Sequence, residues 1–209
     1  MNRTQREIEF PNRISTIILL SLRDVIGDNG MNAVLNTGNL AHLIEAALGV
    51  DFGPGLSFRE VGDLFDALES IYGVRTAEKY AREAGQRGFK YWIQGFGGAM
   101  SMADIVLRFL PLFFRARLGV QIFTEIFNRY TALNVSVDEN HENYFLTIEP
   151  GGFCCGRNTD IPACDYVVGL LDEVLFWISR GHRFRIEETS CMACGDPICT
   201  FNIIKQVMD

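Results

Sequence analysis

All six cysteines of this 209-residue chain fall between Cys154 and Cys199. Three of them stand in the run Cys191-Met192-Ala193-Cys194-Gly195-Asp196-Pro197-Ile198-Cys199, around a Gly-Asp-Pro turn, and a knuckle of this kind can aim several sulfurs at one point. Three residues before Cys191 is Glu188, at the end of an expected strand, where its carboxylate can join the same cluster. Cys154, Cys155 and Cys164 lie upstream, across one helix. A lone free cysteine is usually a small buried hydrophobe; six so close together argue for metal. Zinc suits the set because it takes sulfur and carboxylate ligands tetrahedrally without redox cost. An iron-sulfur cluster, which also needs several thiolates, is the alternative that Cys194 keeps open.

A second concentration of one residue type is aromatic. Phe109, Phe113, Phe114, Phe123, Phe127 and Tyr130 form a stripe beside Arg108, Arg115 and Arg117. It reads either as ordinary core or as the lining of a site for a hydrophobic or aromatic small molecule, with the arginines receiving an acidic head group. The three histidines, His42, His141 and His182, are far apart. His42 could serve as a haem ligand, although a capping or core role is commoner for such a residue. Gly95-Phe96-Gly97-Gly98 lacks the G-x-G-x-x-G spacing and the preceding strand of a dinucleotide site, and no nucleophile elbow, His-Glu-x-x-His pair or P-loop occurs.

The elements that must position these groups can be read from periodicity. Apolar residues recur at helical spacing from Arg13 to Ile26, and Asp28-Asn29-Gly30 is expected to end that helix. Met31 to Leu48 reads as two short helices broken near Gly38. Ser57 and Glu60 form a capping box ahead of Val61, Leu64, Phe65, Leu68 and Ile71. Further helices are expected from about Thr76 to Gln94 and, meeting near Pro111, from Ser101 to Tyr130. The period then changes to two over Asn134–Asp138 and Tyr144–Glu149, a β-hairpin. A helix over Cys164–Arg180 leads to strands at His182–Glu188 and Thr200–Ile204, which bracket the knuckle. The fold class expected is α+β: a helical N-terminal part packed on an antiparallel sheet of about four strands. Residues 1–209 read as one domain, mostly helical over 1–131, with hairpin, helix and metal-binding hairpin over 132–209.

Composition narrows the function classes. Nineteen basic and twenty-six acidic side chains give a net charge of -7, which disfavours nucleic acid as a partner. The first ten residues carry no apolar core of a signal peptide, and the most apolar windows, Ile14–Leu22 and Ile105–Phe114, are too short to span a bilayer. A cytoplasmic protein is expected, and thiols in a reducing compartment more often serve metal or redox chemistry than disulfides.

The run Cys155-Gly156-Arg157, Pro162-Ala163-Cys164, Gly169-Leu170-Leu171 and then Glu188-x-x-Cys191-x-Ala193-x-Gly195-Asp196-x-x-Cys199-x-Phe201 resembles the 4-vinyl reductase domain family. The resemblance implies a fold similar to subunits of the TRAPP vesicle-tethering complex, usually dimeric, and related to the sensor domains of phenol-responsive transcription activators. It further implies a structural zinc on Cys164, Glu188, Cys191 and Cys199, with Cys155 and Cys194 as additional candidate ligands outside the family pattern. On this basis the expectation is a homodimeric sensor or carrier of a hydrocarbon-like molecule, without catalytic residues. The alternatives are an enzyme component that reduces a tetrapyrrole vinyl group and an iron-sulfur redox protein.

Overall fold

The computed structural model of the chain describes residues 8–44, 49, 51–96 and 110–208, with the side chains of residues 95 and 96 left aside. Phe109, Arg108 and most of the helix expected ahead of Pro111 lie outside that range.

Helix α1 (Asn12–Thr37) is two helical segments joined at Gly27, whose φ of 73° and ψ of 171° are non-helical, so the break after Ile26 falls one residue ahead of the expected Asp28–Gly30. After it come a single 3₁₀ turn at Ala41–Leu43 and a short strand, β2 (Pro54–Ser57), which pairs antiparallel with β1 (Glu9–Pro11). Strands this short carry too few residues to show an alternating pattern, so periodicity does not announce the pair.

Helix α2 (Phe58–Tyr72) begins as its sequence dictates. Ser57 Oγ accepts the Glu60 N–H at 3.2 Å, and Glu60 Oε2 accepts the Ser57 N–H at 2.7 Å. Its face of Phe58, Val61, Leu64, Phe65 and Leu68 is buried. Helix α3 (Val74–Phe96) buries Ala77, Ala81 and Ala84 and packs against α5 (Asp165–Ser179) at Gly85. The two backbones cross so closely that a Cβ on Gly85 would fall on the Tyr166 carbonyl and one on Gly169 on the Arg82 carbonyl. Small residues are required there for that reason. Helix α4 (Leu112–Tyr130) packs on α5 and on β3 (Asn134–Glu139).

The main sheet has the order β3-β4-β6-β5, with β4 at Asn143–Glu149, β5 at Arg183–Ser190 and β6 at Cys199–Met208, and all neighbours are antiparallel. The fold is therefore the expected α+β arrangement of helices on a four-stranded antiparallel sheet. Alternation sends Tyr144, Leu146 and Ile148 of β4 and Cys199, Phe201 and Ile203 of β6 into the core, in register as Tyr144–Ile203, Leu146–Phe201 and Ile148–Cys199. The same parity on β5 turns Phe184, Ile186 and Glu188 inward. Among the described residues no helix is long and apolar enough to cross a membrane.

Candidate metal centre

Three chain segments bring sulfur to one place. Cys154 sits in the turns that follow β4, with its N–H bonded to the Gly151 carbonyl. Cys164 is the residue before α5, and its carbonyl accepts from Val167 and Val168. Cys191 opens the knuckle between β5 and β6, and Cys199 starts β6. The knuckle is held by its own backbone: the Cys191 carbonyl accepts from Cys194 and Asp196, Asp196 Oδ2 accepts the Cys191 N–H at 2.8 Å, and Gly195 takes a φ of 93° to turn the chain.

The Sγ atoms of Cys154, Cys164, Cys191 and Cys199 all lie within 4.8 Å of one another. Cys154 and Cys199 are 3.5 Å apart and Cys164 and Cys199 3.9 Å. A single ion bonded to four sulfurs at about 2.3 Å sets them about 3.8 Å apart. All four residues are at most 3% exposed, and no disulfide links any of the six cysteines.

The electrostatics follow from this crowding. Hydrogen bonds from Cys154, Cys164 and Cys199 draw the negative charge onto Cys191, whose thiol is held far below the ordinary range. Hydrogen bonding to Cys154 and Cys191, with burial, pushes Cys164 upward, and Cys199 is raised in the same way by Cys154. Four thiolates cannot share a buried space without a cation, because each further charge is desolvated and repelled by the first.

Glu188 is not one of the four donors. Its Oε2 accepts the Cys164 N–H at 2.8 Å, and its Oε1 is buried without a hydrogen-bond partner. Burial, and then the negative charge of Cys191, push its carboxyl up to about 9. The structure thus brings together Cys164, Cys191 and Cys199 of the expected ligand set, sets Glu188 beside them, and supplies Cys154 as the fourth sulfur. Cys155 is buried outside the group, and Cys194 is exposed, 3.8 Å from Thr159 Oγ1. The signal for Cys154 is its adjacency to Cys155; two neighbouring cysteines in a turn give no parity by which to choose between them.

The expected aromatic stripe does not come together. Phe123 and Phe127 are buried, Phe113 and Phe114 are exposed, and Tyr130 stacks on Phe52. The apolar cavity beside Phe123 and Phe127 measures about 30 Å³.

No protein-family profile and no curated protein matches the sequence. Solved structures do resemble the fold, and they are H-NOX domains. One is an H-NOX protein from S. oneidensis in the Fe(II)NO ligation state, 14% identical, with a TM-score of 0.56 over 92% of this chain and 98% of that one. Another is an oxygen-binding H-NOX domain related to soluble guanylate cyclases, in its oxygen complex, 14% identical, with a TM-score of 0.55 over 95% and 96%. A third, the unliganded Fe(II) H-NOX protein from K. algicida, is 13% identical with a TM-score of 0.56 over 96% and 97%. At such identities the likeness establishes the fold.

These neighbours overturn the 4-vinyl reductase assignment and what came with it: the zinc cofactor, the sensor or carrier of a hydrocarbon-like molecule, and the tetrapyrrole-reducing and iron-sulfur alternatives. The physical reasons agree. The side chains the fold clusters are Cys154, Cys164, Cys191 and Cys199, with Glu188 bonded to the Cys164 N–H beside them. Of the rings meant to line a ligand site, Phe123 and Phe127 are buried in the core and Phe113 and Phe114 are exposed at the start of α4. The sulfurs are packed around a point, whereas a cluster of several irons needs thiolates set wider apart.

Haem is the group that H-NOX domains imply. The residues present do not fit it in the usual way, through a histidine on the iron. His42, His141 and His182 are all exposed, in a 3₁₀ turn and in two connecting segments, and His42 lies 3.5 Å from the Glu60 carboxylate.

Proposed function

We propose that this chain is a metal-binding domain on an H-NOX-like fold, in which Cys154, Cys164, Cys191 and Cys199 hold one thiolate-preferring metal ion. The observation that carries this reading is the mutual approach of four buried sulfurs to within 4.8 Å. Four protein ligands fill a tetrahedron and leave no open position for substrate, so the ion's role is structural. It ties the turn after β4, the start of α5 and the β5–β6 knuckle, three segments distant along the chain. That the likeness to known structures covers over nine-tenths of the chain supports treating residues 1–209 as one domain.

Cobalt(II), whose thiolate complexes absorb visibly, tests the proposal on the reduced full-length chain. A saturable one-to-one spectrum of a tetrahedral thiolate complex is expected, accompanied by proton release, because Cys164 and Cys199 hold their protons until the cation arrives. Affinity should consequently fall as the pH drops. Cys154→Ser should abolish or reshape the spectrum while Glu188→Gln keeps the four-sulfur signature. No saturable cobalt complex, or one indifferent to Cys154→Ser, defeats the reading.

A further inference from the structure

We infer that this version of the fold works without haem, a conclusion that goes beyond the metal reading and stands independently of it. A haem needs two things from its protein: an axial donor facing apolar space, and a slot as large as the macrocycle.

Donors are committed elsewhere. Haem iron is held by histidine, by cysteine thiolate, by methionine paired with histidine, or by tyrosine. All three histidines of the sequence are exposed, and the segments outside the described residues contain none. Four cysteines are turned on one another, Cys155 is buried with its backbone carbonyl packed against Gly62 of α2, and Cys194 is exposed on the knuckle. The buried Tyr166 has its hydroxyl 3.2 Å from Ser21 Oγ and its ring stacked on Phe153 at 5.5 Å.

The slot is filled. A continuous file of rings crosses the middle of the molecule from α3 to α2. Trp92 meets Phe127 at 5.2 Å, Phe127 meets Phe153 at 6.3 Å, Phe153 meets Tyr166 at 5.5 Å, and Tyr166 meets Phe65 at 5.9 Å. The apolar space left beside this file, about 30 Å³, is an order of magnitude below the roughly 300 to 1,000 Å³ of ordinary ligand pockets. A roomier groove of about 570 Å³ between α2, α3 and residues 157–165 is faced by Glu69, Glu78, Asp160 and Asp165, against one cation, Arg157, which is itself paired with Asp66 and Glu69. Those carboxylates would repel the propionates of a haem. Direct ring-to-ring packing therefore takes the place a prosthetic group would need.

The test is haemin titration of the reduced, full-length chain, followed by gel filtration and native mass spectrometry, with cobalt(II) added to a parallel sample. The expected result is broad, unsaturated absorbance that is stripped by gel filtration, and a mass without haem. A one-to-one haem complex that survives gel filtration with a sharp Soret band overturns the inference, whatever cobalt does. A missing cobalt complex counts against the sulfur centre alone, so the two failures are told apart.

Discussion

Sulfur and aromatic side chains are each concentrated in one part of this molecule, and the fold treats them in opposite ways. Between residues 150 and 199 three separate segments, the turns after β4, the start of α5 and the β5–β6 knuckle, each deliver at least one cysteine to the same buried point. Along α4 the rings are held on a single element that turns about 100° per residue, so Phe114 lies opposite Phe123, while Phe113, nearly in line with the buried Phe127, is exposed because it stands in the first turn of the helix. Convergence of like residues thus needs changes of chain direction. A helix only sorts them into faces.

The comparison breaks first at the sulfur centre. Cys191→Ser should erase the cobalt spectrum and cost about 4 kcal/mol or more of the metal-loaded chain's stability, the class of loss seen when a structural metal is removed. Denaturant unfolding with and without a chelator measures it; an equal midpoint for variant and parent in the metal-loaded state would mean the four sulfurs tie nothing together. The aromatic side is sharpened by Phe127→Ala. That ring touches Trp92, Phe123 and Phe153, and its removal should cost about 3 kcal/mol through lost burial and a cavity. Cobalt affinity should stay unchanged, and a shift in it would show that core and centre are not separable.

The two regions also differ in how far the sequence foretells them. The helices with strong amphipathic faces, the capping box at Ser57–Glu60 and both hairpins are legible, because each depends on residues close in the chain. Cys191 and Cys199 are in view for the same reason, since knuckle spacing is local, whereas Cys164 is singled out only through the family resemblance. Cys154 is hidden: its place follows from the Ile148–Cys199 register of β4 on β6, a pairing across some fifty residues that leaves no periodic mark. Glu188 comes beside the sulfurs because parity on β5 turns it inward, and one of its oxygens is engaged by the Cys164 N–H. The small β1–β2 pair escapes because it is set by contacts at only a few residues.

A smaller effect tests the frame on which both regions hang. At the α3–α5 crossing, Gly169→Ala adds a single methyl, but it lands on the Arg82 backbone carbonyl, which cannot swing aside as a side chain would. The helices must move apart, at a cost of about 2 kcal/mol. Because Cys164 precedes α5, a slight loss of cobalt affinity should accompany the loss of stability. A variant as stable as the parent would show that the crossing is looser than its backbone distances require.

The smallest effect is expected at Phe114, and it completes the contrast within α4. Its ring is 52% exposed and meets Phe113 edge-on at 5.8 Å, so its removal opens no cavity and strands no polar group. Phe114→Ala should change stability by no more than about 0.5 kcal/mol, against the far larger loss at Phe127 on the same helix. The ratio of the two, read from paired urea titrations, reports directly on the sorting of the stripe. If Phe114→Ala were instead as damaging as Phe127→Ala, the rings of α4 would have to act as one group after all, and the division between a converging sulfur centre and a dispersed aromatic helix would fall.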